Sequence, residues 1–468
     1  MNKTHNYKMK KIGLFLLLIL FPLLGISQQN QIQPVVDERV ELVSVVCFLA
    51  NYKEYNASME NTSYKQLIEE YFADYREHPA VLYMKDLRRT KGMSHDGPMR
   101  LAVHLKKDNR SFVIQEGLLN GGFTSEGMDN RWNPESVEVF LKHLNDFYKI
   151  TDFDDFFSSN HTLYESIITR FQPLLDQIDF SWFPSFFGEE RVDALKIVLS
   201  EVSEGGGYGP MVTYADGRED IYAIQTAFKR DDSGMPVYDM QYVPVLIHEI
   251  CHSFCNPLVR EYMDELKEPG EVLFQHIEKK MKDISYGDWR IYYFEELVRA
   301  SVIRYMISHE EMASYFQREM MMQRLGGFLT IDQTVELLGV YEENRQTYPS
   351  LESYMPELIN AYRSFSDNID SILESYPRVI FSSLGDQEFI PSSTREIILK
   401  TNQPMNTMGV DFWGPAPAWI LDAGWVDEYT VRLEVRLEEK KEYKTPVVMI
   451  GADGTPPLEF YQLSFRTE

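Results

Sequence analysis

Apolar residues recur at three- and four-residue steps through most of the chain between residues 35 and 375. Residues 64–75, 134–150, 163–178 and 191–200 each gather apolar side chains on one face at that spacing, which predicts amphipathic helices. Asn133-Pro134 supplies a capping residue followed by proline at the first helical position, and residues 185–188 read as a second helix start. The period changes at 205–228. Gly205-Gly206-Gly207-Tyr208-Gly209-Pro210 precedes two β-type runs, 211–214 and 221–228, joined by Ala215-Asp216-Gly217, and this predicts a hairpin. Near Tyr376-Pro377 it changes for good. Short β-type runs at 396–399, 429–435, 447–450 and 460–465 follow, split by Asn402-Gln403-Pro404, Gly414-Pro415 and Asp453-Gly454. Strands at that spacing predict a small β-sandwich. The expected class is therefore α+β: a mostly helical body with a small sheet over 28–375, then an all-β module over 376–468.

The first 27 residues carry a different pattern. Lys3, Lys8, Lys10 and Lys11 form a basic stretch, residues 12–24 are almost wholly apolar, and small residues at Gly25 and Ser27 precede polar Gln28-Gln29-Asn30. That order predicts a cleavable secretory signal. The apolar run is shorter than the roughly 20 residues that span a bilayer. No later stretch is apolar enough to span. The expected product is exported, periplasmic or extracellular, with no stable membrane insertion.

Composition narrows the partners. Acidic residues number 72 against 46 basic ones, for a net charge of −26, which argues against nucleic acid and anionic membrane surfaces. Three cysteines exclude a disulfide-stapled scaffold. Cys47, Cys251 and Cys255 read as small buried apolar residues. Aromatic Trp182, Phe183, Phe186 and Phe187 read as core or a packed turn.

Chemistry concentrates in Val245-Leu246-Ile247-His248-Glu249-Ile250-Cys251-His252-Ser253-Phe254, which contains His-Glu-x-x-His. Residues four apart share a helix face, so His248 and His252 can direct two imidazoles at one ion. Glu249 lies about 100° round, placed to take a proton from a metal-bound water. Histidine is scarce, 10 in 468 residues, so the pattern arises by chance on the order of a few times per hundred such chains. The apolar flanks and the two uncharged middle positions fit a buried helix.

A catalytic zinc takes three protein ligands and keeps one position for water. A histidine six residues past His252 is absent, since Leu258 stands there. The alternative is a glutamate on a later helix, and Tyr292-Tyr293-Phe294-Glu295-Glu296-Leu297-Val298-Arg299-Ala300 offers two. Glu295 borders an apolar stripe of Ile291, Phe294, Val298, Val302 and Tyr305, whereas Glu296 points roughly opposite. An inward carboxylate needs a partner. For Glu295 that partner is a metal or Arg299, four residues on. Glu295 is the favoured third ligand and Glu296 the alternative.

The histidine helix and the later Glu-Glu-Leu-Val-Arg-Ala together resemble the gluzincin type of zinc metallopeptidase. More narrowly, His-Glu-Ile-Cys-His-Ser-Phe-Cys-Asn-Pro with that Val-Arg-Ala resembles a bacterial secreted family catalogued only as a domain of unknown function. The resemblance implies a zincin-like fold, Zn2+ on His248, His252 and a downstream glutamate, Glu249 as general base, and amide hydrolysis of a peptide or protein. It also implies that substrate lies as an added strand beside the sheet that precedes the zinc helix, where the 211–228 hairpin stands; Gly205 to Gly207 read there either as room for close backbone approach or as a flexible connector. The interval of 43 residues from His252 to Glu295 leaves room for an extra helix over 269–284. In the last 85 or so residues, Ile390-Pro391-Ser392-Ser393-Thr394, Pro404-Met405, Lys441-Glu442-Tyr443 and Leu463-Ser464-Phe465-Arg466-Thr467 resemble a bacterial immunoglobulin-like domain.

Tyr292, Arg299, Tyr305 and His309 are the donors on hand for an oxyanion. The leading expectation is a secreted zinc metallopeptidase. Two alternatives are a peptidase-like binding protein of the cell envelope that has lost turnover, and a hydrolase of a non-peptide amide.

Overall fold

The computed structural model describes residues 32–56, 63–123, 127–188, 195–204, 207–283, 286–385 and 389–468. The expected signal segment, residues 1–27, lies outside them. Among the described residues no helix is long and apolar enough to cross a membrane. Of the described residues 52% are helical, and the strands fall into small separate sheets, so the α+β reading stands.

Helix Glu38–Leu49 begins at Asp37, whose side chain accepts from Arg39 N (2.9 Å), and every residue from Val40 to Leu49 is buried. It packs against one face of a small mixed sheet. The strand order there is Leu195–Glu204, Glu219–Ala227, then Gly207–Tyr208, with Met211–Thr213 also paired to Glu219–Ala227. The first two strands run parallel and the short ones antiparallel. The 211–228 hairpin is thus present. The helix expected over 191–200 is not: residues 195–200 are strand, and 191–194 lie outside the described residues. The error has a physical source. A parallel strand covered on both faces reads as a continuous apolar run, and Leu195, Ile197, Val198 and Leu199 mimic helical spacing.

Side chains alternate across this sheet. Tyr222 OH lies 3.5 Å from Arg39 Nη2 on the first helix. Ala223 and Gln225 therefore face the other way, toward helix Val243–Glu261, here the histidine helix. Trp182, Phe183, Phe186 and Phe187 are buried as expected, and Phe187 stacks on Phe254 of the histidine helix at 4.4 Å. The predicted helix start at 185–188 is instead a helix end. Helix Trp182–Phe187 stops at Gly188, whose φ of 78° suits glycine.

After the histidine helix, the expected extra helix is a single element, Met263–Asp283, with Pro269 inside it. It packs closely on helix Trp289–Ser308, here the glutamate helix, because Gly270 has no side chain to meet the rings of Trp289 and Tyr293. Helices Ala313–Gly326, Ile331–Glu343, Leu351–Asp367 and Ile369–Ser375 follow the glutamate helix.

From Val379 the chain is all β. One four-stranded sheet has the order Ile420–Asp427, Thr430–Val435, Glu396–Thr401, Val379–Ser382; the other has Asp411–Phe412, Glu442–Val448, Tyr461–Thr467, Phe389–Ile390. Thr430–Val435 and Tyr461–Thr467 alternate buried and exposed residues. Ile397, Leu399, Val431 and Leu433 from the first sheet share a core with Tyr443, Val447, Leu463 and Phe465 from the second. The four predicted strands are all there. The one placed at 447–450 starts earlier, at Glu442, and ends at Val448.

The buried first helix carries a carboxyl at Glu41. Its Oε2 accepts from Tyr64 OH (2.8 Å) and its Oε1 from the Glu201 amide (3.3 Å). Burial first, with the nearby charge of Glu201 adding to it, pushes the carboxyl from an ordinary 4.5 up to about 7. The folded state then holds this proton more tightly than the unfolded chain. Its stabilising contribution is complete below pH 4.5 and is lost as pH rises through 7. Unfolding in urea at pH 5 and pH 8 should show Glu41→Gln losing less stability than wild type over that rise, by about 3 kcal/mol. Equal losses in both proteins would contradict this.

Candidate metal centre

The histidine helix is preceded by a single 3-10 turn, Met240–Tyr242, in which the Asp239 side chain accepts from Gln241 N (3.0 Å). Pro244 then sits in the first helical turn, where its missing N–H costs nothing. The sheet presses on one side of the helix and the aromatic cluster on another, so the His248–His252 face is held in a fixed orientation. The two rings are 4.6 Å apart and nearly perpendicular.

His248 Nε2 and His252 Nε2 lie 3.0 Å apart. Glu295 Oε2 is 3.5 Å from the first, and Glu295 Oε1 is 3.5 Å from the second. Ligand atoms about 2.0–2.1 Å from a tetrahedral zinc stand roughly 3.3 Å from one another. The group therefore fits an ion at its centre, and His248, His252 and Glu295 together could hold a metal. Protonation agrees. Burial holds His248 well below the usual imidazole range, so it is neutral with a free lone pair. His252 Nδ1 lies 3.1 Å from Asn256 Oδ1, an acceptor, which makes Nδ1 the N–H and leaves Nε2 to face the group.

The two glutamates of the later helix have separate surroundings. Asp288 caps that helix, its side chain accepting from Arg290 N (2.9 Å). The helix is buried nearly all round, so the side opposite Glu295 meets protein. Glu296 is fully buried there. Its Oε1 accepts from Thr330 (2.9 Å) and Thr334 (3.0 Å), and burial pushes it up to about 7. Glu295 would also rise by burial, but the Arg299 guanidinium outweighs that, with a hydrogen bond from Tyr286 adding to it, and holds it at about 2. Glu295 therefore makes both contacts that its position allowed: Arg299 four residues on, and the histidines.

Glu249 is buried on the sheet side and lines a cleft of about 650 Å³ together with His248, Arg299 and Gly207. Burial, then the negative charge of Glu295, pushes it up to about 8. The short edge strand passes directly over it. A Cβ at Gly207 would lie 2.7 Å from Glu249 Oε1, and one at Gly209 would lie 2.7 Å from Oε2. Tyr208, between them, points away. The glycines are needed for space. Gly205 and Gly206 lie outside the described residues.

Other candidates fall elsewhere. Tyr292 OH bonds Thr330 in the core (2.9 Å). Tyr305 OH accepts from Asp179 N (2.8 Å), and His309 Nε2 is near Asp179 Oδ2 (3.4 Å), so both serve packing. Only Arg299, of the oxyanion donors considered, lines the cleft. Cys47, Cys251 and Cys255 are buried free thiols, and burial pushes Cys255 up to about 12, as expected of core residues.

Four contributors were not singled out from sequence. Asn256 stands four residues past His252, a spacing that could have flagged it. Tyr286 OH and Gln323 Oε1 accept from Arg299 at 3.0 and 2.8 Å, from positions no local spacing ties to the motif. Gln225 is fully buried with neither amide atom partnered among the described residues. It stands opposite Gly207 in register, and a lone amide in the apolar run 221–228 was its only signal.

Fold and site thus define an α+β chain with a His–His–Glu group able to hold a metal beside a buried glutamate. Residues 32–361 match the family described as Domain of unknown function (DUF4932), and the chain belongs to it. No curated protein matches the chain.

Metal analysis of two variants separates the glutamates. Glu295→Ala should lose the capacity to hold a metal ion, and Glu296→Ala should retain it whenever it folds. Retention by the first and loss by the second would reverse the assignment.

Proposed function

We propose that the chain is an exported zinc-dependent metallopeptidase that hydrolyses peptide bonds with Glu249 as general base. One observation supports this most strongly: Glu249 lies against a glycine edge strand in the same cleft that His248, one of the three residues able to hold a metal, also lines. The residues and spacing of the gluzincin pattern point the same way.

Zinc, when bound, supplies a Lewis acid and lowers the pKa of its water to roughly 7. The chain supplies the rest. Among the described residues the Gly207–Tyr208 strand pairs on one side only, to Glu219–Ala227, so a peptide can add as a further strand on the other side. Its scissile amide then lies beside Glu249, since no side chain at Gly207 or Gly209 intervenes. Glu249 accepts a proton from the attacking water at a carboxylate oxygen. It returns that proton to the amide nitrogen as the C–N bond breaks, giving a free carboxylate and an amine. Low solvent exposure strengthens both transfers by excluding competing water.

The test is a peptide-library digest coupled to metal analysis. Glu249→Gln should keep zinc and lose hydrolysis by about 10²–10⁴-fold. Full residual activity in that variant would remove Glu249 from the mechanism. A zinc-loaded wild type that cuts no peptide would sink the peptidase reading and favour a binding protein or a non-peptide amide substrate.

Gly207→Ala gives an independent check on the edge strand. Its methyl must displace Glu249 Oε1, so hydrolysis should fall sharply while zinc content and far-UV circular dichroism stay at wild-type levels. Unchanged turnover would show that the strand does not border the reacting amide.

A further inference from the structure

We infer that Arg299 is a positioning residue with two tasks: it confines Glu295 to a single ligating oxygen, and it couples the metal group to the wall of the cleft. The inference rests on the metal-holding role of His248, His252 and Glu295.

The first task follows from where the guanidinium donates. Arg299 Nε (3.1 Å) and Nη2 (2.8 Å) both donate to the same atom, Glu295 Oε2. A carboxylate oxygen has two lone pairs, and these bonds use both. Oε2 also stands 3.5 Å from His248 Nε2, but with its lone pairs taken up by the guanidinium, Oε1, 3.5 Å from His252 Nε2, is the oxygen left to ligate. Two imidazoles and one oxygen make three protein ligands and keep a fourth position open. A second carboxylate oxygen would fill that position. Lysine could carry the charge but has no planar fork to occupy one oxygen twice.

The second task follows from the far end of the same side chain. Arg299 Nη1 donates to Gln323 Oε1 (2.8 Å), and the guanidinium lies over the Phe328 ring at 4.7 Å. Gln323 is the one buried residue of helix Ala313–Gly326. The same helix presents Tyr315, Arg318, Glu319 and Met322 to the cleft. The one buried anchor of the cleft wall is therefore bonded to a residue that also grips a metal ligand. Coupling of this kind is reciprocal. If docking of the helix favours the ligand geometry, metal must favour docking by the same factor.

Two variants and two metals test this. Arg299→Lys should bind zinc about 10–100-fold more weakly. With cobalt at full occupancy, its visible absorption should be weaker than that of wild type, as a second carboxylate oxygen raises the coordination number. In wild type, zinc should slow amide hydrogen exchange across residues 313–326. Gln323→Leu, which leaves the Arg299–Glu295 pair in place, should erase that zinc-dependent protection. This second variant carries the test where Arg299→Lys fails to fold. Wild-type zinc affinity and an unchanged cobalt spectrum in Arg299→Lys would overturn the first task. Exchange indifferent to zinc in wild type, or protection retained in Gln323→Leu, would overturn the second. A wild type that takes up neither metal would overturn the metal-site reading, and this inference with it.

Discussion

One buried carboxylate has to stay ionised for the rest of this site to exist. Burial alone works against it. The same desolvation pushes Glu249 up to about 8 and Glu41 and Glu296 up to about 7. It favours the histidines as ligands, because it keeps His248 neutral. A group of two imidazoles and one carboxylate thus faces opposite demands from one environment. Arg299 resolves them locally, since its guanidinium acts on Glu295 and holds it at about 2. The arginine needs partners of its own, and it finds them in Tyr286, Gln323 and the Phe328 ring. Segments far apart in sequence are drawn around the site for that reason.

The scaffold fixes the second requirement, which is close approach. The sheet is only a few strands wide and is covered on both faces, by helix Glu38–Leu49 and by the histidine helix. Phe187 stacked on Phe254 sets the orientation of the histidine helix from the far side. Glycines appear where two backbones must nearly touch. Gly270 lets the Met263–Asp283 helix reach the glutamate helix, and Gly207 and Gly209 let the edge strand cross over Glu249. A methyl group at either of the last two would occupy the space of the carboxylate itself.

The readable parts of the sequence were those governed by short-range rules. His248, Glu249 and His252 are fixed by helical spacing, and the sandwich strands alternate because one face of each is buried. The helix over 134–150 carries its own cap at Asn133. The strand at 195–204 was misread because burial on both faces erases the alternation that marks a strand. Gly188 was taken for a helix start because a glycine says only that the backbone turns, and here its positive φ ends a helix. Tyr286 and Gln323 were unreadable for a different reason. Their tie to Arg299 depends on how two further segments dock, and no local period encodes that. The large negative charge contributed nothing to the site, which uses a handful of specific acids.

Glu295 and Glu296 show how far a local rule can reach when it is followed to the end. They are neighbours of one type on one helix, and both are buried. Yet one is held as a carboxylate and the other is driven toward the neutral acid. The residue four positions on decides between them: Arg299 follows Glu295, whereas Ala300 follows Glu296. In sequence that arginine reads as a competitor to metal, a simple ion-pair partner that would leave Glu295 with no further role. In the folded chain the pair and the metal group are compatible, because the guanidinium engages one oxygen and leaves the other. An ion pair at helical spacing is therefore no argument against a metal ligand here. It is the condition under which a buried glutamate keeps the charge that a metal ligand requires.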